Sequence, residues 1–84
     1  MQKLDAAKVT EWIQSYVSDF LDIPATKITP DARFDELGLD SADSVIICGA
    51  FEEQFNVEME ATLFLRNANL AELIADLRAS GYVA

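Results

Sequence analysis

The sequence predicts an all-α fold, a four-helix bundle of three main helices and one short helix with a long first loop. Apolar residues recur at the spacing of an amphipathic helix in three separate segments, which gives the main helices. Two prolines, Pro24 and Pro30, separate the first of these segments from the second. The chain has 84 residues, of which 51% are hydrophobic, so it can close one small core but not two. We therefore expect a single domain over residues 1–84.

The first helix is predicted from about Leu4 to Leu21. Polar residues such as Glu11 and Ser15 occupy one side, and the apolar stripe consists of Val9, Trp12, Ile13, Tyr16, Val17, Phe20 and Leu21. The two large aromatic residues Trp12 and Tyr16 lie within this stripe, which favours core packing over stacking on a ligand.

The connection to the second helix runs to about Asp40, which is longer than the roughly 12 to 15 residues expected of a structureless loop. Apolar residues recur through it, namely Ile23, Ile28, Phe34, Leu37 and Leu39. We therefore expect the loop to fold back and pack on the core with these side chains. Its acidic residues Asp31, Asp35 and Glu36 are expected to face water.

The second helix is predicted from about Ser41 to Phe55. Its inward face consists of Ser44, Ile47, Cys48, Phe51 and Phe55. The outer face then carries Ala42, Ile46, Gly49 and Glu53. A glycine inside a helix costs up to about 1 kcal/mol relative to alanine, and a bare isoleucine is unusual in solvent. We predict that Ile46, Ala42 and Gly49 form a small apolar contact for a dedicated partner.

A short third helix is predicted near Ala61 to Leu65. The last helix has clearer signals, because Asn69 can cap its start with Glu72 three residues on, and Gly81 follows its end. Its apolar stripe consists of Leu70, Leu73, Ile74 and Leu77.

The charge of the chain restricts its partners. Six basic residues against 15 acidic ones give a formal net charge of −9. Nucleic acids and anionic membranes both select for Lys and Arg, so neither is expected as a partner. The acids crowd the middle of the chain, so we expect a docking surface there for proteins that present basic patches.

Cys48 is the single cysteine, so neither an internal disulfide nor a cysteine-based metal site is expected. A free cysteine usually packs as a small apolar residue, which predicts a buried thiol. A small fold without disulfides suits a reducing cytosol, and we see neither a signal peptide nor a run of roughly 20 apolar residues that could span a bilayer. We expect a cytoplasmic monomer.

The pair Asp40-Ser41 stands at the predicted start of the second helix, in a chain with no histidine. A serine in such a position is usually an N-cap. Here Asp40 is itself a good cap, which leaves Ser41 free to point outward. The start of a helix also offers unpaired N–H groups and the positive end of the helix dipole, so a phosphodiester on Ser41 would be stabilised there.

These residues resemble a known family. The run Gly38-Leu39-Asp40-Ser41, with Val45, Phe51, Glu52, Glu53 and Phe55 following, is similar to the acyl carrier proteins, and the loop from Ile28 to Ser41 looks like that of polyketide-type carriers. Segments Ala61–Leu65 and Ala68–Leu73 are similar to the family's third and fourth helices. The resemblance implies that Ser41, next to Asp40, receives a covalent 4'-phosphopantetheine arm from coenzyme A.

The resemblance also implies a function. The chain would be a free-standing carrier that holds acyl intermediates as thioesters on the arm during polyketide or fatty-acid biosynthesis, and would not be an enzyme. Its partners would be a phosphopantetheinyl transferase and acyl-loading and condensing enzymes with basic docking patches.

Two positions depart from the family pattern. Ala42 stands where leucine is most frequent, and Ile46 stands where fatty-acid carriers often place an acid. The residues expected to contact partners are Asp43, Ile46, Glu52 and Glu53. We further expect an apolar seam that can open to admit an acyl chain. Its residues are Phe51, Met59, Leu63 and Phe64.

Other classes fit the sequence less well. A hydrolase built on Ser41 would lack a nearby general base, since the chain has no histidine. A calcium loop counted from Asp31 would place Arg33 at a ligand position and Ala42 where a glutamate should close the site. The remaining alternative is an acidic helical interaction module that never receives an arm, in which Ser41 is only a cap.

Overall fold

The computed structural model describes residues 3–84. Within that range the chain forms no β-strand, and the fold is the predicted all-α bundle of three main helices and one short helix. A single 3-10 turn lies between the first two helices, at Ala25–Lys27. The helices are α1 (Ala6–Leu21), α2 (Phe34–Leu37), α3 (Ser41–Phe55) and α4 (Leu70–Ala79).

Helix α1 begins two residues later than predicted because Asp5 caps it, accepting a hydrogen bond of 2.8 Å from the backbone N–H of Ala7. The helix ends at Leu21, and the next residue, Asp22, caps it with a left-handed backbone. The core side chains of α1 are Val9, Ile13 and Val17, all fully buried. Phe20, which we predicted in the same stripe, is 37% exposed.

The long loop packs on the core as predicted. Ile28, Phe34 and Leu39 are buried, whereas the three loop acids named above face water. Backbone hydrogen bonds join this loop to the start of α4, from Phe34 N to Ala68 O at 2.9 Å and from Ala71 N to Pro30 O at 2.9 Å.

The short helix is not where the sequence predicted it. Residues Ala61–Leu65 form turns, closed by hydrogen bonds such as Leu63 N to Glu60 O at 3.1 Å, so that prediction was wrong. The carbonyl of Leu63, which a continuing α-helix would pair with a backbone N–H, instead accepts from the side chain of Asn67 at 2.9 Å. The short helix is α2, inside what we predicted to be loop. It ends at Leu37, and Gly38 caps it with φ of 107°.

The relative directions of the three main helices follow from which of their ends lie together. A surface cleft brings together the start of α1, the end of α3 and the end of α4, through residues that include Leu4, Val57 and Tyr82. Since α4 also begins beside the loop that leads into α3, α3 and α4 start at the same end of the bundle. Helix α1 runs antiparallel to both, so its last turn lies at the end where Ser41 is found.

The core is continuous across the three main helices and the turn segment 60–67. Cys48 is fully buried in it, as predicted, and its thiol donates to the carbonyl of Glu60 at 3.1 Å. Burial, reinforced by the nearby carboxylate of Glu52, raises the pKa of this thiol. In residues 3–84 no helix has both the length and the apolar character needed to cross a bilayer.

Candidate functional site

The start of α3 is closed by a reciprocal capping box. The carboxylate of Asp40 accepts from the backbone N–H of Asp43 at 2.8 Å, and the carboxylate of Asp43 accepts from the backbone N–H of Asp40 at 3.3 Å. Asp40 is therefore the N-cap, as its residue type predicted, and Ser41 is the first helical residue.

The hydroxyl of Ser41 is left available by this arrangement. Ser41 is exposed, and its side chain forms no hydrogen bond with any residue between 3 and 84. The backbone N–H groups of the first turn and the positive end of the α3 dipole lie next to it. An anion attached to this oxygen would be stabilised by these N–H groups and by the helix dipole.

The neighbouring serine has a different role. Ser44 is buried, at 3% exposure, and its hydroxyl donates to the carbonyl of Asp40 at 3.0 Å. Of the two serines in this turn, the structure leaves one hydroxyl accessible and uses the other to hold the helix start together.

A cleft of about 300 Å³ opens beside Ser41, between the start of α3, helix α2 and the turn segment 60–67. Its walls are mixed: Phe64 and Leu65 are apolar, while Arg33 and Arg66 bring guanidinium groups. This cleft was not predictable from the sequence, because it forms between segments that are distant along the chain.

Both arginines of the cleft are held by carboxylates. Arg33 pairs with Asp35 at 3.1 Å and with Glu36 at 3.6 Å. The hydrogen bond from Arg33 holds the pKa of the Asp35 carboxyl below its usual range. Arg66 pairs with Asp76 at 2.6 Å and with Glu60 at 2.9 Å. Each guanidinium group thus faces two carboxylates, so the local charge at both arginines is net negative.

The predicted partner residues of α3 differ in how much they offer to solvent. Ile46 is 53% exposed and Glu53 is exposed. Asp43 is half-buried and engaged in the capping box, and Glu52 is half-buried with its carboxylate accepting from the backbone N–H of Met59 at 2.9 Å. Glu52 therefore holds the backbone that follows α3, a structural role that the sequence did not reveal.

Two further apolar residues, not expected at the surface from the sequence, are exposed. Val45 is 50% exposed, immediately before Ile46, and Leu65 is 54% exposed at the rim of the cleft. A signal existed for Leu65, since three consecutive apolar residues, Leu63 to Leu65, cannot all point into one core.

Within residues 3–84 no group of three or more acidic, cysteine or histidine side chains is placed to hold a metal ion.

Known proteins resemble this chain over a range that includes the site around Ser41. A family model described as "Phosphopantetheine attachment site" matches residues 11–77. Acyl carrier protein 2, mitochondrial, of Arabidopsis thaliana is 44% identical over 57 residues, which make up 67% of this chain and 45% of that protein. The acyl carrier protein of Akkermansia muciniphila is 34% identical over 68 residues, or 80% of this chain and 85% of that protein.

A solved structure supports the fold. The free-standing peptidyl carrier protein from an uncharacterized secondary metabolic pathway of Acinetobacter baumannii matches with a TM-score of 0.78 at 26% identity. The match covers 90% of this chain and 95% of that one. The chain spans less than half of the Arabidopsis relative, but nearly all of the Acinetobacter chain.

Proposed function

Since this chain belongs to the acyl carrier protein family, whose members bear a phosphopantetheine attachment site, we propose that Ser41 is the residue that takes the 4'-phosphopantetheine arm. The observation that carries the proposal is the contrast at the start of α3. Ser41 is exposed with an unengaged hydroxyl, whereas Ser44 is buried and bonded to Asp40.

The residues around Ser41 fit such a group. The first-turn N–H groups of α3 would stabilise a phosphodiester, and the cleft of about 300 Å³ provides walls along which the rest of the arm could lie. Asp40 holds the helix start in place through Asp43, so the Ser41 oxygen is presented from a fixed backbone. When bound, the arm supplies a terminal thiol that carries an acyl group as a thioester.

We assign no catalytic step to this chain. The sequence contains no histidine, and the Ser41 hydroxyl has no basic partner within hydrogen-bonding distance in residues 3–84. An activated serine needs such a base. The task of the chain in this proposal is to present the arm and to be recognised by the enzymes that act on it.

Those enzymes would be a phosphopantetheinyl transferase and the acyl-loading and condensing enzymes of polyketide or fatty-acid assembly. The net charge of −9 and the exposed carboxylate of Glu53 favour partners with basic patches, and charge contacts of this kind speed association. In the same proposal the protein acts in the cytoplasm, a reducing compartment that suits its free cysteine. Subcellular fractionation tests this, because a relative of the chain is named mitochondrial.

Intact-mass measurement tests the attachment. The chain is incubated with coenzyme A and a phosphopantetheinyl transferase, beside Ser41→Ala and Ser44→Ala variants. We expect the wild type and Ser44→Ala to gain one arm and Ser41→Ala to gain none. A chain that gains nothing, while a known carrier is labelled in parallel, would instead be an acidic interaction module.

The exposed pair Val45 and Ile46 supports a further part of the proposal, a small apolar contact on α3 with Ala42 and Gly49 for a dedicated partner. Ile46→Glu should slow the reaction with that partner and leave attachment of the arm unchanged. Gln54→Glu adds the same charge at an exposed position of α3 outside this contact, and should leave the rate with that partner unchanged. Unchanged rates for Ile46→Glu with every enzyme of the pathway would reject the contact.

The apolar seam is the proposed shelter for an acyl chain. Phe51, Leu63 and Phe64 are buried and Met59 is half-buried, so a chain entering here must displace packed side chains. Backbone amide shifts of these residues should change between the unloaded and acyl-loaded protein. Identical spectra would show that the acyl group stays outside.

A further inference from the structure

A row of stacked aromatic rings runs along α1 and ends in the open. The Trp12 and Tyr16 rings are 4.9 Å apart and the Tyr16 and Phe20 rings 6.2 Å apart, both pairs stacked. Trp12 is further anchored by edge contacts with Phe51 at 5.7 Å and Phe55 at 5.8 Å. The row is therefore fixed to the core at one end and terminates at Phe20.

Phe20 is exposed where its helical position predicts burial. At 100° per residue it lies on the same face of α1 as Val9 and Ile13, which are fully buried, yet it is 37% exposed. Among the aromatic pairs of residues 3–84 its ring pairs with Tyr16 alone, so the face directed away from Tyr16 is not covered by another ring.

The charge around Phe20 is negative and uncompensated. Asp19 and Asp22 flank it, and neither takes part in the four ion pairs formed within residues 3–84. The last turn of α1 contains no basic residue that could balance the negative end of the helix dipole. Lys27, on the neighbouring 3-10 turn, is the nearest basic residue along the chain.

We propose that this surface, formed by Asp19, Phe20 and Asp22, is a second docking site that binds an arginine side chain presented by a partner protein. A guanidinium group can approach the exposed part of the Phe20 ring, and the exposed carboxylates of Asp19 and Asp22 at this end of α1 favour its positive charge. A second copy of this chain is disfavoured as the occupant, because each copy carries a net charge of −9. An anionic membrane is disfavoured for the same reason.

The docking site at Phe20 lies where a partner that acts at Ser41 could reach it. The last turn of α1 lies at the same end of the bundle as Ser41, on a different helix from the apolar contact of Val45 and Ile46. A partner that reaches the Ser41 end could therefore touch two separate faces of the carrier. The inference goes beyond the carrier role and does not depend on modification of Ser41.

The test uses NMR spectroscopy of the full chain, titrated with a short helical peptide of alanine and leucine that presents arginines. Matched peptides carry lysine or the neutral isostere citrulline at the arginine positions. We expect the arginine peptide to shift the amide signals of residues 19–22 more than those of α3. The citrulline peptide should leave the signals of residues 19–22 unchanged.

The variants separate stacking from general attraction. Phe20→Leu keeps an apolar side chain but removes the ring, and should weaken arginine-peptide binding about two- to fivefold. Leu65→Ala removes another exposed apolar side chain and should bind as the wild type does, as should Ser41→Ala.

Three results would overturn the proposal. These are shifts confined to α3, unchanged affinity in Phe20→Leu, or equal shifts from the citrulline peptide. Concentration-dependent shifts at Phe20 without any peptide would instead identify a second copy of the chain as the occupant.

Discussion

Ser41 and Ser44 lie three residues apart on α3 and have opposite environments. Asp40 connects the two, because its side chain caps the helix and its carbonyl accepts the Ser44 hydroxyl. The cap was predictable from the sequence, since residue types at a helix start act through local hydrogen bonds. The cleft beside Ser41 was not, since it depends on where residues 64–68 return after a turn that the sequence analysis misread as a helix.

At the same scale, burial should protect Cys48. The thiol is fully buried and burial raises its pKa, so little thiolate exists near neutral pH. We expect iodoacetamide to alkylate Cys48 in the folded chain at least about tenfold more slowly than in urea-unfolded chain. Similar rates in the two states would contradict this burial.

Helix α3 shows how far local signals reach at the scale of an element. Its bounds, Ser41–Phe55, match the prediction because a strong cap and a regular apolar face define them. The segment after it does not match, because Asn67 and Arg66 satisfy polar groups in turns rather than in a helix. Those contacts are made by polar side chains to partners four and six residues away, and the periodicity of apolar residues does not register them.

Gly49 weakens α3 without a steric reason. An added Cβ would meet no atom within 4 Å, and the residue does not have a positive φ. Gly49→Ala should therefore stabilise the protein by up to about 1 kcal/mol, measured by urea unfolding. Ala50→Gly, the neighbouring control, should destabilise by a similar amount. Loss of stability in Gly49→Ala would contradict the open space described here.

The ion pair between Arg66 and Asp76 ties the turn segment 60–67 to α4. Hydrogen bonds from Arg66 and Asn67 hold the pKa of Asp76 below its ordinary 3.8 in the folded chain. As the pH falls, the unfolded chain therefore takes up a proton on Asp76 before the folded chain does. The stabilisation from the ion pair is complete above the ordinary pKa of Asp76 and is lost as the pH falls through its lowered pKa.

Asp76→Asn should flatten the acid limb of the stability curve, measured by unfolding at successive pH values below neutrality. Glu58→Gln makes the same change in net charge at an exposed residue that forms no ion pair within residues 3–84, and serves as the control. An acid limb equally steep in the wild type and Asp76→Asn would show that the pair contributes nothing.

At the scale of the whole molecule, net charge and topology act together. The antiparallel course of α1 places its last turn, the start of α3 and the start of α4 at one end, so Ser41 and Phe20 share that end. The sequence predicted the number of main helices and the buried stripes, but not this arrangement of ends, since it arises from long-range contacts of the loop.

The charge of −9 should oppose folding through self-repulsion, and salt screens it. We expect the melting temperature to rise between about 20 mM and about 200 mM sodium chloride. A melting temperature that falls over this range would mean that the ion pairs of Arg33 and Arg66 outweigh the repulsion.

The central claim is that the Ser41 oxygen bears the arm, and fragmentation mass spectrometry of the enzymatically modified chain tests it most directly. We predict a single added phosphopantetheine group located on Ser41, with Ser44 unmodified. An added group on any other residue, or an unmodified chain beside a labelled control carrier, would contradict it.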